Sequence, residues 1–243
     1  MSAGAEQASA SVLDQVAVAL DTADWDTFVA QCALFGPRVG VLKIGLEAYT
    51  RWGPEAVVEA RRWPARIFLD LKLHDIPNTV RGAVGAARDL GVHYLTVHAG
   101  GGREMLAAAA EGAGDTIRLL AVTVLTHLDA PALAQLGLPG SASERAASWA
   151  RMAAAAGCHG AVCSPQELSL LRPALPRPFL LVTPGIRGLG AVAGDDQQRV
   201  AAPERALEDG SDLLVIGRPL TAAARPQRAL EELASRLGVR RTP

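Results

Sequence analysis

The 243-residue chain contains no apolar run approaching the roughly 18 residues that a membrane-crossing helix needs, so no membrane partner is expected. Neither sign of charge predominates. There are 24 Lys and Arg against 25 Asp and Glu, the net charge is −1, and no basic cluster stands out. Nucleic acid is therefore not expected as a partner. Cysteine is scarce: Cys32, Cys158 and Cys163 are odd in number and lack the short spacing of metal ligands. Cys163 lies in an apolar run and reads as a small buried thiol, which fits a reduced, cytoplasmic setting. The five histidines, at 74, 93, 98, 127 and 159, form no His-x-x-x-His pair, and no structural metal is expected. Residues 1–10 hold neither basic residues nor an apolar core, so they read as a frayed tail rather than a signal peptide. No Gly-x-Gly-x-x-Gly follows the first apolar run, which weakens a doubly wound dinucleotide-binding sheet.

What is present is regular. Hydrophobic residues make up 49% of the chain, ample for a large core. Short apolar runs recur at 16–21, 39–44, 67–73, 94–98, 118–125, 160–163, 179–183 and 213–216. Each is followed by helical pattern, at 24–35, 47–63 (broken by Gly53-Pro54), 79–90, 104–112, 131–136 with 143–156, 165–171, 203–208 and 227–237. Such alternation implies parallel strands joined by crossover helices. Eight units in a chain of this length predict an α/β fold, a single-domain (β/α)₈ barrel over residues 15–240 after a flexible tail at 1–14.

One run carries charge where an apolar strand should not. Asp70 and Lys72 interrupt Ile67, Phe68, Leu69 and Leu71. Strand alternation predicts that positions 70 and 72 share a face, and opposite charges there are costly to bury. Asp75 adds a carboxylate past the strand end. Pro77 stops the extended run, and Asn78 or Thr79 is placed to cap a helix starting at Val80. A structural ion pair is one reading. The other is a lysine held charged between two carboxylates and aimed for proton transfer.

In a barrel the chemistry collects at the C-terminal ends of the strands. Asp21, Lys43, Asp70, Lys72, His98, Thr126 and Arg218 all fall there, with His98 read as a hydrogen-bonded wall residue. Two Gly-containing loops follow the last two strands, Thr183-Pro184-Gly185-Ile186-Arg187 and Ile216-Gly217-Arg218-Pro219. Barrels often hold phosphate there, and Arg187 and Arg218 could each grip it with two hydrogen bonds.

The run Asp70-Leu71-Lys72-Leu73-His74-Asp75-Ile76-Pro77-Asn78-Thr79 resembles the signature of the orotidine 5′-monophosphate decarboxylase family. Leu42-Lys43-Ile44-Gly45, Val97-His98-Ala99 and the two Gly-Arg loops extend the resemblance over nearly the whole chain. It implies a metal-free and cofactor-free decarboxylation of orotidine 5′-monophosphate to uridine 5′-monophosphate, the last step of pyrimidine synthesis. Lys72, Asp70, Lys43 and Asp75 would be catalytic. Asp21 and Lys43 would meet the ribose, Thr126 the pyrimidine edge, and Arg187, Gln197, Gly217 and Arg218 the phosphate. The resemblance also implies a homodimer in which Asp75, Ile76 and Thr79 serve the neighbouring site. Three alternatives stay open. They are a metal-assisted aldolase or β-keto acid decarboxylase using Glu47, Asp70 and Asp75, a Schiff-base aldolase using Lys72 or Lys43, and a non-catalytic phosphate-ligand barrel.

Overall fold

The computed structural model describes residues 11–187 and 199–238. Among them, eight parallel strands close into one barrel in chain order: β1 (Val16–Ala19), β2 (Val41–Ile44), β3 (Arg66–Leu73), β4 (Tyr94–His98), β5 (Arg118–Val122), β6 (Gly160–Val162), β7 (Leu180–Thr183) and β8 (Leu213–Ile216). The barrel is sealed by β1, which pairs with both β2 and β8. Around it lie α1 (Trp25–Phe35), α2 (Leu46–Trp52), α3 (Pro54–Ala60), α4 (Pro77–Asp89), α5 (Gly102–Ala113), α6 (Ala130–Gln135), α7 (Ala142–Ala155), α8 (Leu168–Ala174), α9 (Pro203–Glu208), α10 (Arg218–Thr221) and α11 (Pro226–Gly238). The (β/α)₈ expectation is met.

Strands covered on both faces must be apolar on both, which is why these runs do not alternate with polar residues. Their outward side chains join the helices in one large core that includes Val18, Leu42, Leu69, Leu95 and Leu181. The inward ones form a separate plug of Ala17, Val41, Phe68, Tyr94, Leu120, Val182 and Leu213. Period two then sets the next inward layer. Two residues beyond Ala17, Val41, Phe68, Tyr94 and Leu120 stand Ala19, Lys43, Asp70, Thr96 and Val122. The plug is therefore the floor on which the polar residues sit.

Several local expectations are corrected. β3 does run to Leu73, but its register against β4 shifts between Leu69 and Leu73, and Lys72 takes a left-handed backbone with φ 51°. A bulge of this kind re-aims a side chain, so Lys72 shares a cavity with Asp70, as expected, but by way of a left-handed turn rather than regular strand alternation. The following helix begins at Pro77, not after a polar cap. Ile76 is its N-cap, without a side-chain hydrogen bond, and Pro77 takes the first helical position, where its missing N–H costs nothing. Asn78 and Thr79 lie inside the first turn. β5 ends at Val122 rather than 125. Residues 1–10 of the expected tail lie outside the described residues, but Val12–Gln15 forms a 3₁₀ turn whose Leu13 is buried in the core. Ordered packing thus begins before residue 15.

Candidate active site

A cavity of about 790 Å³ opens at the C-terminal ends of the strands. Asp21, Lys43, Asp70, Lys72, Thr126, Arg187, Gly217 and Arg218 all line it. The charged residues from the first three strands form a chain of alternating sign. The Lys43 ammonium lies 3.6 Å from Asp21 and 3.4 Å from Asp70, and the Lys72 ammonium donates to the other Asp70 oxygen at 2.9 Å. Lys43 is only 6% exposed. Burial works to lower its pKa, yet the charges of Asp70 and Asp21 outweigh burial and hold it raised. For Asp70, burial works to raise the pKa, but Lys43, Lys72 and two donated hydrogen bonds overcome it and hold the carboxyl below its usual range. Both groups are therefore locked in their charged forms at neutral pH.

Thr96 completes this anchor, and the sequence reading missed it. Fully buried on β4, it donates from Oγ1 to Asp70 at 2.9 Å and accepts the backbone N–H of Lys72 at 2.9 Å. One hydroxyl thus fixes the carboxylate and also stabilises the left-handed turn that carries Lys72. Its only signal in the sequence is a polar residue on the inward parity of an apolar strand. Gly45 is needed for closeness: a Cβ there would lie 2.5 Å from the Asp21 carboxylate.

Asp75 is not beside Lys72 within one chain. It is exposed, and its carboxylate accepts from the N–H of Ile76 at 2.6 Å. Ile76 and Thr79 are likewise exposed, and none of the three lines the cavity. Gln197 lies outside the described residues. His98, expected in the wall, is hydrogen-bonded but does not line the cavity. Its Nδ1 accepts from the N–H of Gly100 at 3.0 Å, and its ring stacks on His74 with centroids 5.3 Å apart. Cys163 lines the cavity as a buried thiol whose pKa burial pushes up, away from reactivity.

A second arrangement serves the far ends of β7 and β8. Gly185, Arg187, Gly217 and Arg218 bring backbone and two guanidinium-bearing side chains to the same cavity. Glu47 also lines it. Its partner in the structure is Arg51, 3.6 Å away. A divalent ion placed between Asp21 and Asp70 would have to displace the Lys43 ammonium already bound there.

The model of the orotidine 5′-phosphate decarboxylase / HUMPS family matches residues 14–233. An orotidine 5′-phosphate decarboxylase of Thermobifida fusca (strain YX) is 50% identical over 224 residues, covering 91% of this chain and 95% of the relative. Another, from Anaeromyxobacter sp. (strain K), is 49% identical over 217 residues, covering 88% and 95%. The crystal structure of orotidine 5′-phosphate decarboxylase from Lactobacillus acidophilus superposes with a TM-score of 0.81 at 35% identity, covering 92% of this chain and 99% of that one.

Proposed function

The chain belongs to the orotidine 5′-phosphate decarboxylase / HUMPS family, and from that premise we propose that it converts orotidine 5′-monophosphate to uridine 5′-monophosphate and CO₂, the closing step of pyrimidine nucleotide synthesis. The observation that carries this reading is the Asp21–Lys43–Asp70–Lys72 chain beside a phosphate-suited Arg pair in one cavity.

The chemistry demands such a site. When the C6–CO₂ bond breaks, its electron pair stays on C6 in the ring plane, where no ring orbital delocalises it. The enzyme must meet that charge directly. The Lys72 ammonium, paired with Asp70, would stabilise the developing carbanion and then donate its proton to C6. Lys43 and Asp21 would hold the ribose hydroxyls, Lys43 donating and Asp21 accepting. Thr126 and its backbone would hold the pyrimidine edge. Arg187, Gln197, Gly217 and Arg218 would hold the phosphate, whose binding energy is far from the breaking bond but can be used to order the charges. No metal or organic cofactor enters the proposed reaction.

The site is proposed to be completed by a second copy of the chain, with Asp75 and Thr79 reaching the neighbouring Lys72 and Ile76 in the interface. Ile76 is 67% exposed at the start of α4, a poor position for a large apolar side chain in a monomer. The three free cysteines accord with a cytoplasmic setting.

The test is loss of the orotate chromophore from orotidine 5′-monophosphate in excess EDTA, comparing wild type with Lys72→Ala. Turnover by wild type and a loss of at least roughly 10³-fold in the variant are expected. A variant as fast as wild type would remove Lys72 from the reaction. Activity only with magnesium and a sugar phosphate would move the protein to the aldolase reading. Trapping of substrate by borohydride would favour a Schiff base, although the carboxylate beside Lys72 opposes a neutral amine.

A further inference from the structure

Outside the cavity lining, one buried ion pair joins two of the cavity's loops. Glu167 is fully buried between β6 and α8, and its Oε2 accepts the Ser164 N–H at 2.8 Å. Its Oε1 accepts from Arg199, whose side chain is 12% exposed. From that anchored position, the Arg199 Nη2 donates to the carbonyls of Val124 and Leu125 at 3.2 and 3.1 Å. Those carbonyls lie just past β5, immediately before Thr126. Two residues beyond Arg199, Ala201 pairs with the loop after β7. The Arg187 N–H donates to the Ala201 carbonyl at 2.8 Å, and the Ala201 N–H to the Gly185 carbonyl at 3.1 Å.

The segment 199–201 therefore grips, by backbone, the loop bearing Gly185 and Arg187 and, by side chain, the loop bearing Thr126. We infer that Arg199 is a positioning residue that couples occupancy of the phosphate end of the cavity to the geometry of its pyrimidine edge. The inference rests on the phosphate reading of Arg187 and Arg218. A buried Glu–Arg pair is a poor choice for stability alone, because desolvation offsets most of its attraction. Its value lies in geometry. A planar guanidinium can serve a carboxylate and two carbonyls at once from fixed directions, which a lysine cannot. Burial pushes the Glu167 pKa up, and the Arg199 charge beside it offsets part of that shift.

Two readouts test this. The first is the substrate split. Against orotidine 5′-monophosphate, Arg199→Ala is expected to lose roughly 10- to 100-fold in kcat/KM, and against the nucleoside lacking phosphate no more than about threefold. Arg199→Lys, which keeps the charge and protects the fold, is expected to show the same selective loss in smaller measure. Equal losses on both substrates would overturn the coupling and leave a general structural role. The second readout needs no turnover: hydrogen exchange over residues 124–128 with and without inorganic phosphate. Slower exchange on adding phosphate is expected in wild type and not in either variant. Protection retained in Arg199→Ala would refute the coupling alone. No effect of phosphate in wild type would overturn the phosphate reading and the coupling with it.

Discussion

Asp70 is held from three sides, by the Lys43 and Lys72 ammonium groups and by the Thr96 hydroxyl. The third of these is the least costly to remove without disturbing charge. Thr96→Val keeps the side-chain shape but leaves the Lys72 N–H without its acceptor and Asp70 without one donor. The expected cost is about 1–3 kcal/mol of stability, measured by denaturant unfolding. A fall in kcat should exceed any rise in KM, because the variant misplaces Lys72 without touching the groups proposed to bind substrate. A rise in KM alone would show that Thr96 does not act through Lys72.

At the scale of elements, two strands are held at their starts by histidines. The His93 Nδ1 accepts the Ile67 N–H of β3 at 3.0 Å, and the His159 Nδ1 accepts the Leu119 N–H of β5 at 3.2 Å. An imidazole that accepts at Nδ1 cannot be protonated there. Partial burial lowers both pKa values from 6.5, helped by Arg66 and Arg61 at His93 and by Arg118 at His159, where Asp115 opposes. The sign follows: the folded state binds protons less readily than the unfolded one. The stabilisation is fully present above pH 6.5 and is lost as pH falls through the lower folded values. The urea midpoint should drop between pH 7.5 and 5.5. It should drop less in His93→Asn/His159→Asn, whose amide oxygens can accept the same N–H groups without titrating. An identical drop in that variant would exonerate the two histidines.

At the scale of the whole molecule, the prediction concerns assembly. One chain supplies Asp21, Lys43, Asp70 and Lys72 to the cavity but leaves Asp75 at the surface beside exposed Ile76 and Thr79. If a second copy completes the site, Ile76→Glu should break the assembly and the activity together, because it buries a charge in an apolar contact. Sedimentation and turnover measured across a concentration series would report both. A monomeric wild type with full activity would dismiss the shared site.

How much of this was legible beforehand differs by residue. The barrel was, because eight apolar runs of strand length alternate with helical pattern and few folds accommodate that order. Asp21, Lys43, Asp70 and Lys72 were legible because charge inside an apolar strand has no cheap explanation. Strand ends were less so: residues 123–125 are as apolar as β5, and only barrel closure decides where pairing stops. Thr96 carried only its inward parity as a signal and Arg199 none, since a threonine suits any strand and an arginine suits any surface. Their partners lie 24 to 75 positions away in the chain, at Lys72 and Asp70 for Thr96 and at Glu167, Leu125 and Val124 for Arg199. The composition and order of the chain by themselves determined the barrel and the acids and bases facing its mouth. Tertiary structure alone decided that Lys72 reaches Asp70 through a left-handed turn and that Thr96 holds both, because those outcomes depend on which distant backbone each side chain meets after the barrel closes, and it alone left Asp75 exposed outside the cavity of its own chain.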